Sequence, residues 1–427
     1  MIQRYLGNKN SIAENIIHEI SRYCKTGDIV CDIFSGTTSM SMALKSHGFK
    51  VITNDISLFS YHFANCYIKN NAIPTVDLSK LGVDADLFED EVNSRIREKK
   101  GQDGFLFLSD KRELDSYKKI VTLLVYLENI TDKDVTYNRR RHDFYNTYTV
   151  EGKNSYFHSM RGSEGHRRFF TPANGLKLDS IMSKLREWHQ KGLLNGTLYS
   201  LLISVVCESV EKISNTQGTY HDFQREKYDE RALNPLLLRL PKFDDVIRTN
   251  NNHIVGKQQD SLEFIKRVPE HKLIYIDPPY NFRQYTSYYF MLNLISSYCD
   301  IEDLDKYFSE VQFVRGQNMA DDFDSTFCKS NLFIPSLRQL IKDAKAQYVV
   351  LSYYDGRNHN NKGTHRKDMG ISQIVDIFKS EMFVPGSFEL KAFERTNYQS
   401  FQGHSASKCQ ELLFIGEKVN FNVDRKD

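Results

Sequence analysis

Strand-length apolar segments alternate with helix-length segments in two separate blocks of this 427-residue chain, and no other feature limits its fold as strongly. In the first block Ile12, Ile16, Ile17 and Ile20 recur at helical spacing behind Ser11, a residue suited to capping. A strand over 28–34, a turn at Ser35-Gly36-Thr37-Thr38 and a helix over 39–47 follow. A second strand over 49–55 leads to a helix that Ser57 can cap. After Pro74 the rhythm breaks, and helices are expected at 175–191 and 195–213. It resumes with strands at 253–256, 272–276 and 348–353. Two late strands, 388–393 and 411–415, leave little room for a helix between them and are expected to pair antiparallel. Such alternation implies a parallel sheet with right-handed crossovers. The expected organisation is one α/β domain, residues 1–74 and 221–427, split by an insertion at 75–220.

Composition narrows the class. Apolar residues at 40% and aromatics at 12% are enough for a sizeable core, which excludes a disordered chain. A net charge of +2 means that any charged partner must be met by a local patch. No apolar run approaches the roughly 18 residues of a membrane span. The N-terminus lacks the basic-then-apolar layout of a signal peptide. Seven scattered Cys without a C-x-x-C pair argue against zinc or a disulfide framework and for reduced thiols in a cytosol. A cytoplasmic protein is expected, with no metal.

Three constellations carry chemistry. Asp32-Ile33-Phe34-Ser35-Gly36-Thr37 follows the first strand, where open parallel sheets bind ligands. A lone Gly is not the G-x-G-x-x-G of a dinucleotide binder, so a cofactor without phosphates fits better. S-adenosyl-L-methionine is one, its carboxylate suited to the helix N-terminus near Thr38. Asp55 ends the second strand, 19 residues after Gly36, at the spacing of a carboxylate that accepts from ribose hydroxyls. Its bland alternative is a cap for the next helix. The third is Asp277-Pro278-Pro279-Tyr280, directly after the strand at 272–276. Its two prolines hold the chain extended and withhold two N–H groups. An exocyclic purine amine is a poor nucleophile, because its lone pair is delocalised into the ring. Asp277 and the Pro278 carbonyl can accept its two hydrogens and favour a pyramidal nitrogen. Tyr280 offers a face on which a flipped base can stack.

In this order the pieces resemble the Dam-like, α-group DNA adenine-N6 methyltransferases of restriction–modification systems. A G-x-K stretch, Arg4-Tyr5-Leu6-Gly7-Asn8-Lys9, precedes Phe34-Ser35-Gly36, then Asn54-Asp55-Ile56, then an insertion, and the D-P-P-Y comes last. Asn215-Thr216-Gln217-Gly218-Thr219-Tyr220 and Asn281-Phe282-Arg283-Gln284-Tyr285 are similar to stretches of that subclass, and the match by order covers about two-thirds of the chain. The resemblance implies a Rossmann-like fold: a mostly parallel seven-stranded sheet with an antiparallel last strand, plus a largely helical target-recognition insertion. It implies S-adenosyl-L-methionine as cofactor, double-stranded DNA as substrate and a cognate restriction endonuclease as possible partner. Tyr5 and Lys9 would line the methionine end of the cofactor. Asp32, Phe34 and Gly36 would shape its loop, Asp55 would take the ribose, and Asp260-Ser261 would border the adenine. Asp277, Pro278 and Tyr280 would hold the target base. Tyr5 stands where some relatives carry Trp. The transfer itself needs positioning and electrostatics rather than a metal or a prior ionised base.

The insertion supplies a basic patch. Residues 139–170 hold seven Arg/Lys against three acids, interleaved with seven Phe/Tyr. Arg139, Arg140, Arg141, Arg161, Arg167 and Arg168 are expected on phosphates or guanine edges, with Tyr220 and Arg283 as further DNA contacts. Two other readings stay open: an RNA or protein amide-nitrogen methyltransferase, whose relatives more often show N-P-P-Y/F, and a non-catalytic DNA-binding subunit. Asp277 in place of Asn disfavours the first, and the joint presence of Lys9, Gly36, Asp55, Asp277 and Tyr280 the second.

Overall fold

The computed structural model describes residues 5, 7, 9–99, 111–160, 162–216, 220, 222–241, 251–279, 284–354, 369–396 and 408–419. Arg161, Tyr280 and Arg283 lie outside the described residues. In chain order the strands are β1 (Ile29–Asp32), β2 (Lys50–Thr53), β3 (Tyr156–His158), β4 (Glu164–His166), β5 (Ile254–Val255), β6 (His271–Ile276), β7 (Ala346–Tyr354), β8 (Glu389–Thr396) and β9 (Lys408–Glu417). Seven of them form one sheet in the order β5-β2-β1-β6-β7-β9-β8. β5, β2, β1, β6 and β7 pair in parallel, and β9 runs antiparallel to both β7 and β8. This is the mostly parallel, Rossmann-like sheet with an antiparallel last strand that the sequence led us to expect.

The residue pattern explains the elements. Ile12, Ile16, Ile17 and Ile20 are at most 3% exposed, so the helix Ala13–Ile20 is fixed by its apolar stripe. Burying each such side chain stabilises by about 1.5–3 kcal/mol. Ser11 does not cap it: the cap position is Ile12, without a side-chain hydrogen bond. Ser57 occupies the cap position of Leu58–Phe63 but makes no side-chain cap either; its N–H donates instead to Asp55 Oδ1. One sheet face carries the apolar alternation Ile274, Ile276, Val349, Leu351 and Phe414, packed against Phe333, Leu337, Leu340 and Ile374 from covering helices.

The chain divides into two compact units. One comprises residues 5–64, 249–288 and 322–427 and contains the whole seven-stranded sheet; the other comprises 65–248 and 289–321. The second unit is wider than 75–220 and takes in 289–321, which periodicity alone attached to the sheet. It is built on the helices Lys111–Asn129, Pro172–Gln190, Gly196–Ile213 and Phe290–Ser297, with the antiparallel β3–β4 hairpin, absent from the sequence expectation. Asp179, fully buried on the second of these helices, accepts the N–H groups of Phe144 and Tyr145 and so fixes the start of the helix Asp143–Tyr148. Among the described residues no helix is long and apolar enough to cross a membrane.

Candidate active site

The loop after β1 is shaped by backbone ties to the end of β2. Ser35 N–H donates to Asn54 O at 3.0 Å and Gly36 N–H to Asp55 Oδ2 at 2.8 Å. Gly36 has φ +50, and a Cβ there would meet Tyr5 Cε1 at 2.7 Å, so glycine is required both by conformation and by a close approach. Tyr5 in turn packs edge-on against Phe59 and Tyr285, at centroid distances of 6.2 and 5.7 Å. Asp55 therefore ties two segments at once: one oxygen holds Ser57 N–H in the turn before the helix, the other Gly36 N–H. A carboxylate has about four acceptor sites, so further hydrogen bonds from a ligand remain open to it.

Asp32, at the end of β1, is 1% exposed. Ser41 Oγ donates to its Oδ2 at 2.6 Å, while Oδ1 accepts from no donor among the described residues. Burial pushes its carboxyl up to about 7; the Ser41 bond opposes this and the charges of Asp277 and Asp55 add to it. Asp260 caps the helix Ser261–Phe264 by accepting Leu262 N–H at 2.6 Å.

β6 ends at Ile276, its last residue paired with β7, and Asp277-Pro278-Pro279 leaves the ladder there. Two residues without N–H cannot continue it. Asp277 is met by Lys9, whose Nζ lies 2.8 Å from each carboxylate oxygen and donates to Gly7 O at 2.9 Å. Burial raises the Asp277 carboxyl to about 6; Lys9 opposes the rise and Glu411 adds to it. Lys9 was expected beside the methionine end of a cofactor. It does line the cavity, but its ammonium is directed at Asp277.

Tyr5, Lys9, Asp32, Phe34, Gly36, Asp55, Asp260, Ser261, Asp277 and Pro278 all line one cleft of about 920 Å³ at the carboxyl ends of β1, β2 and β6. That is where the strand order reverses, and parallel sheets bind ligands at such switch points. Two observations suit a nucleoside-type cofactor carrying an amine. Asp32 Oδ1 is a buried acceptor without a described donor, and Gly36, lacking a side chain, stands at the cavity wall. The sequence reading missed Glu411, Arg395 and Ser352. Glu411 is fully buried, 3.4 Å from Lys9 Nζ, and accepts from Ser352 Oγ at 2.5 Å and Arg395 Nε at 2.7 Å. The available signal was a charged residue opening the apolar run Glu411-Leu412-Leu413-Phe414-Ile415.

In the other unit the basic stretch divides. Arg167 is 1% exposed and donates to the carbonyls of Asn154, Val311, Phe313 and Val314 at 2.9–3.4 Å. It braces the backbone, so its expected place on DNA is corrected. Tyr220 is fully buried, its hydroxyl sharing a hydrogen bond with Ser214, and it too is withdrawn from the DNA surface. Phe144, Tyr148, Phe169 and Phe170 are core residues rather than stacking platforms. Arg139, Arg140 and Arg168 stay partly exposed; Arg139 reaches Gln190, and Arg168 reaches Glu226 O and lies over the Tyr228 ring. Arg141 is paired with Asp143 and Asp305. Arg140, Arg141, His142 and Lys153 line a second, polar cleft of about 1010 Å³.

Fold and cleft define a group-transfer enzyme of the Rossmann-like methyltransferase class. Residues 5–348 match the D12 class of N6 adenine-specific DNA methyltransferases, and the chain belongs to that family. It is an enzyme of DNA adenine methylation. The chain is 25% identical over 425 residues to the type II methyltransferase M.NlaIII of Neisseria lactamica, covering 97% of this chain and 99% of that one. It is 26% identical over 419 residues to the type II methyltransferase M.FokI of Planomicrobium okeanokoites, and 24% identical over 425 residues to the modification methylase StsI of Streptococcus sanguinis. These two alignments cover 97% and 99% of this chain but 52% and 53% of the relatives, so the chain spans about half their length.

Proposed function

We propose that this enzyme takes its methyl group from S-adenosyl-L-methionine, acts on one adenine in a specific duplex sequence after flipping that base into the cleft, and protects DNA from a cognate restriction endonuclease. The observation that carries the reading is Asp277, set at the end of β6 in a cleft with Asp32, Gly36 and Asp55 and held by Lys9. Asp55 would take the ribose hydroxyls, Asp32 Oδ1 would accept from the amino-acid end, and Asp260-Ser261 would border the adenine moiety. The bound donor supplies an electrophilic methyl group. Ionised Asp277 and the Pro278 carbonyl accept the two N–H bonds of the target amine, turning its lone pair toward that methyl. The donor would pass its sulfonium methyl to that lone pair and leave as a neutral thioether, and the methylated nitrogen would lose one proton to water. Tyr280 would stack on the flipped base.

The unit formed by 65–248 and 289–321 would read the duplex. In support, Arg139, Arg140 and Arg168 remain partly exposed, and the β3–β4 hairpin presents Tyr156 at 53% exposure and Met160 fully to solvent. Aromatic and apolar groups on such a hairpin suit contact with bases, and the arginines suit phosphates. Relatives named as type II methyltransferases and as a modification methylase support the protective role. The test is Asp277→Ala in single-turnover methylation of duplex DNA. Donor affinity should stay within about tenfold and the rate should fall by at least ~10³, since the lost acceptor acts mainly at the reacting nitrogen. A variant keeping more than about a tenth of the rate would remove Asp277 from this role.

A further inference from the structure

A lysine ammonium buried to 3% exposure must be compensated by charge, and its Asp277 partner also faces the cavity. The second counter-charge is Glu411, 3.4 Å away. Topology brings it there. Because β9 runs antiparallel to β7, its first residues lie at the carboxyl edge, with Glu411 opposite Tyr354. The diagonal neighbours Ser352 on β7 and Arg395 on β8 then each hold one of its oxygens. Burial opposes ionisation of Glu411, but Lys9, Arg395 and the Ser352 bond outweigh it and keep its pKa below the usual glutamate value. The cleft lining includes Lys9 and Asp277 but not Glu411. Beside the through-space effect of its charge on Asp277, its contact with the reacting groups runs through Lys9.

We propose that Glu411 is a positioning residue: fixed by Ser352 and Arg395, it holds the Lys9 ammonium against Asp277 and so sets the direction in which Asp277 presents its remaining lone pairs to the target amine. This rests on the role given to Asp277 above. Among the described residues the charged and titratable groups around Asp277 include Lys9, Glu411, Arg395, Asp32 and Tyr275, which lie on the N-terminal segment and on β9, β8, β1 and β6. Two acids and two bases balance in the chain Asp277–Lys9–Glu411–Arg395, so the loss of one member unbalances the rest. A plain staple of β7, β8 and β9 would need no connection to Lys9.

The experiment is a double-mutant cycle on the full chain, read by single-turnover methylation of adenine-containing duplex DNA, with S-adenosylmethionine affinity by calorimetry alongside. Glu411→Gln should slow transfer about 30-fold with donor affinity within about threefold, and Lys9→Met about 100-fold. The double variant should be no more than about twofold slower than Lys9→Met alone, because the ammonium through which Glu411 positions Asp277 is already gone. A double variant whose rate is the product of the two single effects would overturn the proposal, as would wild-type rate in Glu411→Gln. Should Glu411→Gln fail to fold, Ser352→Ala decides, since it leaves every charge in place. It should slow transfer about fivefold in the native background and not at all beside Lys9→Met. An equal effect in both backgrounds refutes the positioning role. Wild-type transfer by both Asp277→Ala and Lys9→Met would instead remove the underlying reading of Asp277.

Discussion

Asp55 lets the roles of loop anchor and cofactor ligand be separated by experiment. Its two oxygens accept from Gly36 N–H and Ser57 N–H, each at 2.8 Å. A hydrogen bond to a charged acceptor contributes about 1.5–3 kcal/mol, so losing both puts an upper figure of about 3–6 kcal/mol on Asp55→Ala. Part of that returns, because burial raises the Asp55 carboxyl above its usual value despite the bonds from Ser57 and Gly36; removing the charge removes that desolvation penalty. The net expectation is a loss of about 2–4 kcal/mol for Ala, and about 1–2 kcal/mol for Asn, which keeps one acceptor oxygen and no charge. Urea unfolding at constant slope measures the stability change, and calorimetry with S-adenosylmethionine measures the donor. Both variants should bind it at least about tenfold more weakly, since neither offers an anionic acceptor to ribose hydroxyls. Stability within about 1 kcal/mol of wild type in Asp55→Ala would refute the loop-anchor role. Unchanged donor affinity in Asp55→Asn would refute the ribose contact and leave Asp55 as a loop anchor.

Other outcomes follow from the same geometry. Gly36→Ala should cost about 1–2 kcal/mol for a side chain at positive φ, with further loss from the 2.7 Å contact with Tyr5; Tyr5→Ala should relieve only that further part in urea titrations. The carboxyls of Asp277 and Asp32 are raised by burial to about 6 and about 7, above the ordinary 3.8. Their contribution to stability is therefore present below about 3.8 and lost as pH rises through 6 to 7. Asp32→Asn should flatten the stability decline between those pH values, and an unaltered pH–stability curve would contradict it. The transfer rate should instead rise with pH through about 6 as Asp277 ionises, a limb that would be absent if Asp277 were not needed as an anion. Arg167→Met should destabilise by about 2 kcal/mol or more, because four carbonyls lose a buried donor group, without altering the salt dependence of DNA binding. Arg168→Ala should reduce that salt slope by about one unit if it meets a phosphate.

The sheet was legible because its strands are short apolar runs with turn residues at their ends, and each expected run lies on an observed strand within a few residues. The cleft was legible because Asp32, Gly36, Asp55 and Asp277 each stand at or just beyond a strand end, and a parallel sheet gathers such positions on one edge. What could not be read is pairing between distant segments. The hold of Lys9 on Asp277 spans 268 positions, and Glu411 reaches Lys9 only because β9 is inserted antiparallel between β7 and β8. The basic stretch misled for another reason: charge and aromatic content do not say which face is buried. Arg167 and Tyr148 point into the core of their unit, while Arg168, next in sequence to Arg167, stays partly exposed. The hairpin escaped notice because three-residue strands carrying His, Glu and Gly show no apolar alternation.

The most direct test of the central claim is single-molecule sequencing of genomic DNA for modified bases, from a methylation-deficient host expressing either the native chain or Asp277→Ala. N6-methyladenine is expected at one recurring sequence in the first culture and none at that sequence in the second. Unmodified DNA from the native chain, modification of cytosine, or equal methylation with Asp277→Ala would contradict it.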